Sequence, residues 1–357
     1  MTRFHTSRIV WLAALTVAAG VPVAAVAAAP AAAATTTYRI TDLGSLGLGS
    51  APNGINATGE VTGKSSLSTL VPTPSCVPYH NHKPVCTEHP YHAFVWSNGT
   101  MTDLGTLGSG NFSAGEAINS SGEVAGWSDT NADVGQEASV WNGQKWTALG
   151  LPVGSVATGI NDAGQVVGSS SNVTTGSQAF LDSNGTVTDL PEPGFVATSN
   201  LGCQADAINN NAQIAGTCWG YNRKLSSIYA DLVLWQNGTV TDLGTLGGER
   251  STAAAINANG QIVGYGTALL SGVATDGFLY SNGTMTDLGS FIPAAINDNG
   301  VMVGGPYIDS GGTVQNLNTL IPAGSPTIQD ATAINNNGQI VASATAPSGG
   351  AVLLNPS

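Results

Sequence analysis

Residues 232–264, LVLWQNGTVTDLGTLGGERSTAAAINANGQIVG, hold the most regular copy of a unit that recurs from Tyr38 to the last residues of the chain. An apolar strand, Leu232 to Trp235, runs into Asn237-Gly238. That pair is the strongest short-range hairpin signal, because both residues accept the positive φ a tight turn needs. A second strand ends in Asp242-Leu243-Gly244, and a Gly-rich loop carrying Glu249-Arg250 leads to Ala254-Ala255-Ile256-Asn257. Another turn, Ala258-Asn259-Gly260, opens a short last strand, Ile262-Val263-Gly264. Four short strands this close together make the repeat the primary evidence for the fold.

The most regular signature of the unit is Ile-Asn, with Gly three residues further on and an apolar pair after it. It stands at Ile55-Asn56, Ile118-Asn119, Ile160-Asn161, Ile208-Asn209, Ile256-Asn257, Ile296-Asn297 and Ile334-Asn335. Gly59, Gly122, Gly164, Gly260, Gly300 and Gly338 hold the turn position, and Ala212 replaces it once. Asp-Leu-Gly follows the hairpin at Asp42, Asp103, Asp242 and Asp287, with Asp189-Leu190-Pro191, Ala148-Leu149-Gly150 and Asn316-Leu317 as decayed forms. The apolar first strand returns at 93–96, 138–141, 179–181, 232–235, 277–280, 306–308 and 351–354. Each element therefore occurs seven times.

The chain enters the pattern midway, at Tyr38 to Leu43, and leaves it after a first strand, Ala351 to Leu354. Complementary half-units at the two ends are what a closed ring requires, since pairing them removes an exposed strand edge. The expected fold is all-β, a seven-bladed β-propeller with the closing blade shared between the N- and C-termini. A β-solenoid with degenerate ends is the alternative.

Composition agrees with short strands and many turns: 47 of the 357 residues are Gly, and only 9% are charged. Residues 1–34 are different. Arg3 and Arg8 precede an apolar stretch, Ile9 to Val17, and Ala-rich sequence ends in Ala31 to Ala34. This pattern reads as a secretory signal peptide, leaving 35–357 as a single repeat domain. An uncleaved anchor is the alternative, but Ala is weakly apolar and Pro22 and Pro30 interrupt the helix. Loss of Arg3 and Arg8 would take the formal charge from −13 to about −15. Such a surface repels phosphate backbones, so nucleic acid is not expected as a partner. After cleavage no membrane association is expected either. The sequence implies no cofactor.

Residues His92-Ala93-Phe94-Val95-Trp96, continuing through Gly99, Asp103-Leu104-Gly105 and Ile118-Asn119, resemble the HAF-repeat family of bacterial extracellular proteins. Nearly the whole chain after the leader follows the spacing, although only this copy keeps the full triplet. The resemblance implies export and a repeat fold. It brings no agreed activity and no catalytic residues.

Elements repeated in every unit are read as structural. The Asn of Ile-Asn suits an Asx turn, and the Asp of Asp-Leu-Gly can accept amide hydrogens from the loop after it. Calcium would need six to eight oxygens at one centre, which one Asp per unit does not supply. Asn98, Asn184, Asn237 and Asn282 match the glycosylation acceptor pattern, but hairpin chemistry already explains them.

Function is expected where the unit is broken. The largest insertion, about 65–91, carries Cys76, Tyr79, His80, His82, Cys86, Glu88, His89 and Tyr91. His80, His82 and His89, with Glu88, could gather zinc or copper; a disulfide-tied polar loop is the plainer reading, because the spacing matches no standard zinc pattern. His92 belongs to the strand motif. Four cysteines allow three connectivities. Cys76 and Cys86 bracket the insertion, and Cys203 and Cys218 flank the hairpin at Asn210-Asn211, which would bring them side by side. A second break, Trp219, Tyr221, Arg223 and Lys224, gathers two aromatics and two cations suited to a carbohydrate or peptide ligand. A Trp packed over the disulfide is the competing reading, and Glu249-Arg250 is a smaller candidate.

No Gly-x-Ser-x-Gly elbow and no His-Glu-x-x-His pair occurs. The expected function is a secreted, non-enzymatic repeat protein that binds a glycan or protein at the cell surface. The alternative is an extracellular enzyme acting on polysaccharide, with carboxylates from different units near the channel.

Overall fold

The computed structural model describes residues 36–72, 87–131, 135–172, 176–196, 201–222, 227–268, 275–345 and 350–357. Cys76, Cys86, His80, His82, Arg223 and Lys224 lie outside them, as does the leader. The regular structure of the described chain is almost entirely strand, and none of its helices is long and apolar enough to cross a membrane.

Each Ile-Asn turn joins the first two strands of a four-stranded antiparallel meander. In one, Ser113–Ile118, Val124–Ser128, Glu137–Trp141 and Trp146–Ala148 pair in sequence order. Five such sheets stand separately, and an eight-stranded sheet contains two more. Among the described residues the one strand pairing between those two is a parallel bridge, Ala230 to Arg250. Among the described residues there are thus seven meanders, numbered here by their Ile-Asn pair from the first at Ile55 to the seventh at Ile334.

The stretch 232–264 is not one sheet. Ser227–Gln236 and Thr239–Gly244 are the outer strands of the fourth meander, whereas Gly247–Ile256 and Ile262–Ala268 are the inner strands of the fifth. A cyclic repeat has no marked start, so the most legible copy in the sequence straddles a sheet boundary.

The ring is closed by the seventh meander. Ile328–Ile334, Ile340–Ala344 and Ala351–Pro356 come from one end of the chain, and Tyr38–Asp42 from the other. Tyr38 lies opposite Pro356 and Asp42 opposite Val352, with five residue pairs in register. This is the shared closing sheet that the half-units imply.

A second closure lies at the axis. The side-chain amide of Asn56 donates to the carbonyl of Asn119, Asn119 to Asn161, Asn161 to Asn209, Asn209 to Asn257, Asn257 to Asn297, Asn297 to Asn335, and Asn335 back to Asn56, at 2.8–3.3 Å. This cycle returns to its origin, which an open solenoid cannot do. It also identifies the strand before each Ile-Asn pair as the innermost of its sheet. Those strands are rich in Ala and Gly, as at Ala253-Ala254-Ala255, because sheets crowd together near the axis. Further out, the larger side chains Phe94, Phe180, Phe278 and Trp235 fill the wider gaps and are fully buried. Close approach also fixes Gly264, where a Cβ would run into the Thr252 carbonyl and the Phe278 ring.

Candidate functional site

The repeated polar residues are turn chemistry. Asn257 Oδ1 accepts the amides of Asn259 and Gln261 at 3.1 and 3.0 Å, and the other six asparagines do the same in their turns. Asp42, Asp103, Asp242 and Asp287 each accept the amide two residues on, at 2.7–2.9 Å. Asn98, Asn184, Asn237 and Asn282 have φ of 51–55°, each followed by a Gly that also has positive φ, as the hairpin turn demands. The Ile-Asn residues converge on one polar cavity of about 230 Å³ at the axis.

In a four-stranded meander the first and third turns emerge on one face, and the remaining connections on the other. The Asn turns and the Asn-Gly hairpins therefore share a face. Trp219 and Tyr221 stand toward the opposite one, near the end of Ile214–Asn222. Cys203 and Cys218 sit opposite each other, with their Cα atoms 4.1 Å apart, and are joined by the expected disulfide. Side chains alternate along a strand, so Trp219 points to the other side of the sheet from Cys218 and does not cover it.

Trp219 shares its side with Ala215, Thr217 and Tyr221. Ala215 packs against Ala253, Ile262 and Phe278 of the fifth meander, and Thr217 Oγ1 accepts the Ala253 amide at 3.3 Å. This side therefore faces the seam between the fourth and fifth meanders. Across the strand pair, Trp219 lies opposite Ala230 and Tyr221 opposite Ile228. Tyr221 is 44% exposed and Ile228 39%, whereas Trp219 is half-buried. Glu249 and Arg250 meet them at the seam: Arg250 bridges to Ala230, and the Ser227 hydroxyl donates to Glu249 at 3.4 Å. The structure thus brings the strand that pairs with Trp219 and Tyr221 beside the Glu249-Arg250 pair.

His89 is exposed, with Nδ1 2.9 Å from the Thr69 carbonyl. His92 Nδ1 pairs with Asp103 at 2.8 Å, tying the third strand of its sheet to the fourth. Among the described residues no three His, Cys, Asp or Glu side chains gather as a metal site.

Two carboxylates near the axis carry no signal in the spacing of the unit. Inner strands bulge at the residue two positions before the Ile of Ile-Asn, which is Asn53, Glu116, Thr158, Asp206, Ala254 or Thr332 in six of the sheets. Asn53, Thr158 and Thr332 donate across to carbonyls of the next inner strand, those of Gly115, Ala205 and Pro52, at 2.7–3.0 Å. Asp206 holds the same position and is half-buried, its carboxylate accepting from Gln204 and Thr217 at 2.6 and 2.8 Å. Burial pushes its carboxyl up to about 7, against hydrogen bonds from Thr217 and Gln204. Burial likewise raises Glu116, opposed by the Lys64 ammonium and a hydrogen bond from Trp127.

Around Glu116, residues of two meanders form an aromatic cluster. The Tyr91 ring lies 4.9 Å from Phe112 and 6.0 Å from Trp127, and the Lys64 ammonium sits 5.1 Å from its centre. A cavity of about 240 Å³ opens beside Lys64, Ser66 and Tyr91.

No family model matches the sequence, and no curated protein is a significant match. The structure is similar to the β-propeller domain of the Trilobed protease from Pyrococcus furiosus, at TM-score 0.50 and 10% identity, over 85% of this chain and 95% of that one. TolB from Acinetobacter baumannii is similar at TM-score 0.44 and 12% identity, over 84% of this chain and 64% of TolB. The acylaminoacyl peptidase of Pyrococcus horikoshii is similar at 0.47 and 12%, over 82% of this chain and 49% of that enzyme. The chain thus spans less than two thirds of TolB. These likenesses concern the fold: the protein is a β-propeller.

Proposed function

We propose that this propeller is a secreted, non-enzymatic protein of the HAF-repeat type that binds a glycan at the cell surface. The observation that carries the reading is the seam between the fourth and fifth meanders. Trp219, Tyr221 and Ile228 there offer apolar surface beside the charged pair Glu249-Arg250. Aromatic faces next to hydrogen-bonding groups suit a sugar ring, which has apolar C–H faces and a polar rim. A rigid ring holds such a surface at little entropic cost. The Ala-rich leader and the acidic surface support an extracellular location.

The test is a glycan-array and cell-wall pull-down screen with the purified protein, repeated with Trp219→Ala and Tyr221→Ala. Each variant is expected to weaken the best ligand about tenfold while keeping its melting temperature. Absence of any glycan or cell-wall ligand, or variants that bind like the parent, would overturn the reading.

The second reading is a polysaccharide-acting enzyme. It is favoured by Asp206, whose carboxyl is raised to about 7, as a general acid at neutral pH requires. Sugar release from a polysaccharide panel that disappears in Asp206→Asn would establish it in place of the first.

A further inference from the structure

One position in the third strand of each meander shows where the repeat leaves a gap. It faces the preceding sheet and is held by Trp96, Trp141, Asp182, Trp235, Tyr280, Asp309 and Leu354. Trp235 shows what the position normally does. It is buried among Val167, Ala179 and Leu190 of the third meander, and its indole N–H donates to the Pro191 carbonyl at 2.7 Å. In the third meander Asp182 replaces the indole, and the corresponding space beside the second meander is an open cavity of about 430 Å³.

Asp182 is only 6% exposed, and among the described residues its Oδ1 meets no hydrogen-bond donor. A buried carboxylate oxygen without a donor is costly unless something supplies one. The cavity is also lined by Glu123 and Asp162, while none of its lining residues is Lys or Arg. Its walls include Val140, Leu149 and Val166, which are aliphatic. The acidic groups other than Asp182 already have partners. Glu123 accepts from the Asn119 side chain at 2.8 Å, and Asp162 accepts from Ser120 and Asn210 at 2.9 and 2.7 Å. A calcium ion needs six to eight oxygens, and a bare metal ion gains nothing from aliphatic walls. A primary ammonium needs three acceptors and carries an aliphatic stem.

We infer that the cavity between the second and third meanders is a binding site for an alkylammonium group, with Asp182 as its deep anchor and Glu123 and Asp162 at its acidic mouth. Asp162, Asn184 and Gly185 at the mouth are exposed, so the site opens on the face of the Asn turns. It is therefore separate from the Trp219–Tyr221 seam and does not depend on that reading. The ammonium comes either from a free aliphatic amine or from a lysine side chain of a peptide. The same replacement recurs at Asp309, whose Oδ1 also lacks a donor among the described residues.

Calorimetry with the purified protein tests the site, using 1,5-diaminopentane, Nα-acetyl-lysine amide and the neutral 1-pentanol as probes. At least one amine is expected to bind and the alcohol is not. Tighter binding of the diamine would identify a free amine, and tighter binding of the lysine derivative a peptide side chain. Asp182→Asn, which keeps the shape and removes the charge, should weaken the better amine about tenfold or more. Asp182→Trp restores the residue type of neighbouring units and should abolish binding in a protein whose circular dichroism and melting confirm that it is folded. Asp309→Asn should leave affinity at the Asp182 site unchanged. No amine binding, equal binding of the alcohol, or binding that survives in Asp182→Asn or is lost only in Asp309→Asn would overturn the proposal.

Discussion

The asparagine of each Ile-Asn pair satisfies both ends of its side-chain amide. Asn209 Oδ1 accepts two amides of its own turn at 3.0 Å, and its Nδ2 donates to the carbonyl of Asn257 in the next sheet at 2.8 Å. No other side chain is short enough to form the Asx turn while offering a donor to the neighbour, which is why the residue does not vary around the ring. Asp206 shows the opposite case, a residue that departs from its ring. Its folded pKa of about 7 lies above the ordinary value, because burial disfavours the charged form. The folded state therefore binds this proton more tightly than the unfolded chain. The associated stability is intact below pH about 4, falls as the pH rises, and is lost once it passes about 7. Asp206→Asn should remove that dependence. Urea unfolding of the parent and the variant should show the variant gaining relative stability between pH about 4 and 7, by at most about 4 kcal/mol, with no further change above. A difference that is the same at both ends of this range would show that the carboxyl is already ionised at the lower one.

Strands and sheets repeat with less fidelity than turns, and the reason is physical. Each turn type demands a particular residue at a particular backbone position, so Asn237-Gly238, Asp242-Leu243-Gly244 and Asn257 are legible in the sequence and behave as read. The Cys203–Cys218 bond is legible too, since a hairpin fixes which residues lie opposite. Sheet boundaries are not, because every connection in a ring links one strand to the next in the same repeating order. The Trp219–Tyr221 break stands out as a departure from the unit, yet its partner surface at Glu249-Arg250 emerges only once two sheets meet. Glu116 and Asp206 escape notice because their position also accepts Asn, Thr and Ala, and one acid among variable residues has no spacing to betray it. The packing between sheets depends most on the large side chain of the third strand. Trp235 is 2% exposed and bonded through its indole to Pro191, so Trp235→Ala leaves both a cavity and an unpaired carbonyl. A loss of about 3–5 kcal/mol is expected by chemical denaturation. A loss below about 1 kcal/mol would mean that neighbouring sheets close over the gap.

At the scale of the whole molecule, stability depends on closing the ring, and the closure is distributed. The Asn cycle passes through all seven meanders, and the seventh adds five residue pairs between distant parts of the chain. Tyr38 is buried there, and its amide donates to the Leu320 carbonyl at 2.8 Å. Thr37 and Ser357 lie side by side, joined by a backbone bond of 2.9 Å and a hydroxyl pair of 2.7 Å. If the ring has no privileged sheet, the point of closure can be moved. A circular permutant that joins Ser357 to Thr36 through a short Gly-Ser linker and opens between Asn237 and Gly238 tests this. It places an outermost strand at the new N-terminus and a third strand at the new C-terminus, reproducing in the fourth sheet the arrangement found in the seventh. The opened hairpin tip is exposed, the kind of site where permutation is tolerated. The fourth sheet also keeps the Cys203–Cys218 bond between its inner strands, so the cut leaves half of that sheet covalently fastened. The permutant should fold to a monodisperse species with the parent's circular dichroism, and melt in one transition within about 10 °C of the parent. If it aggregates, or melts in separate steps, the seventh sheet holds the ring in a way the others cannot, and closure is a local property of Tyr38–Asp42 against Ala351–Pro356.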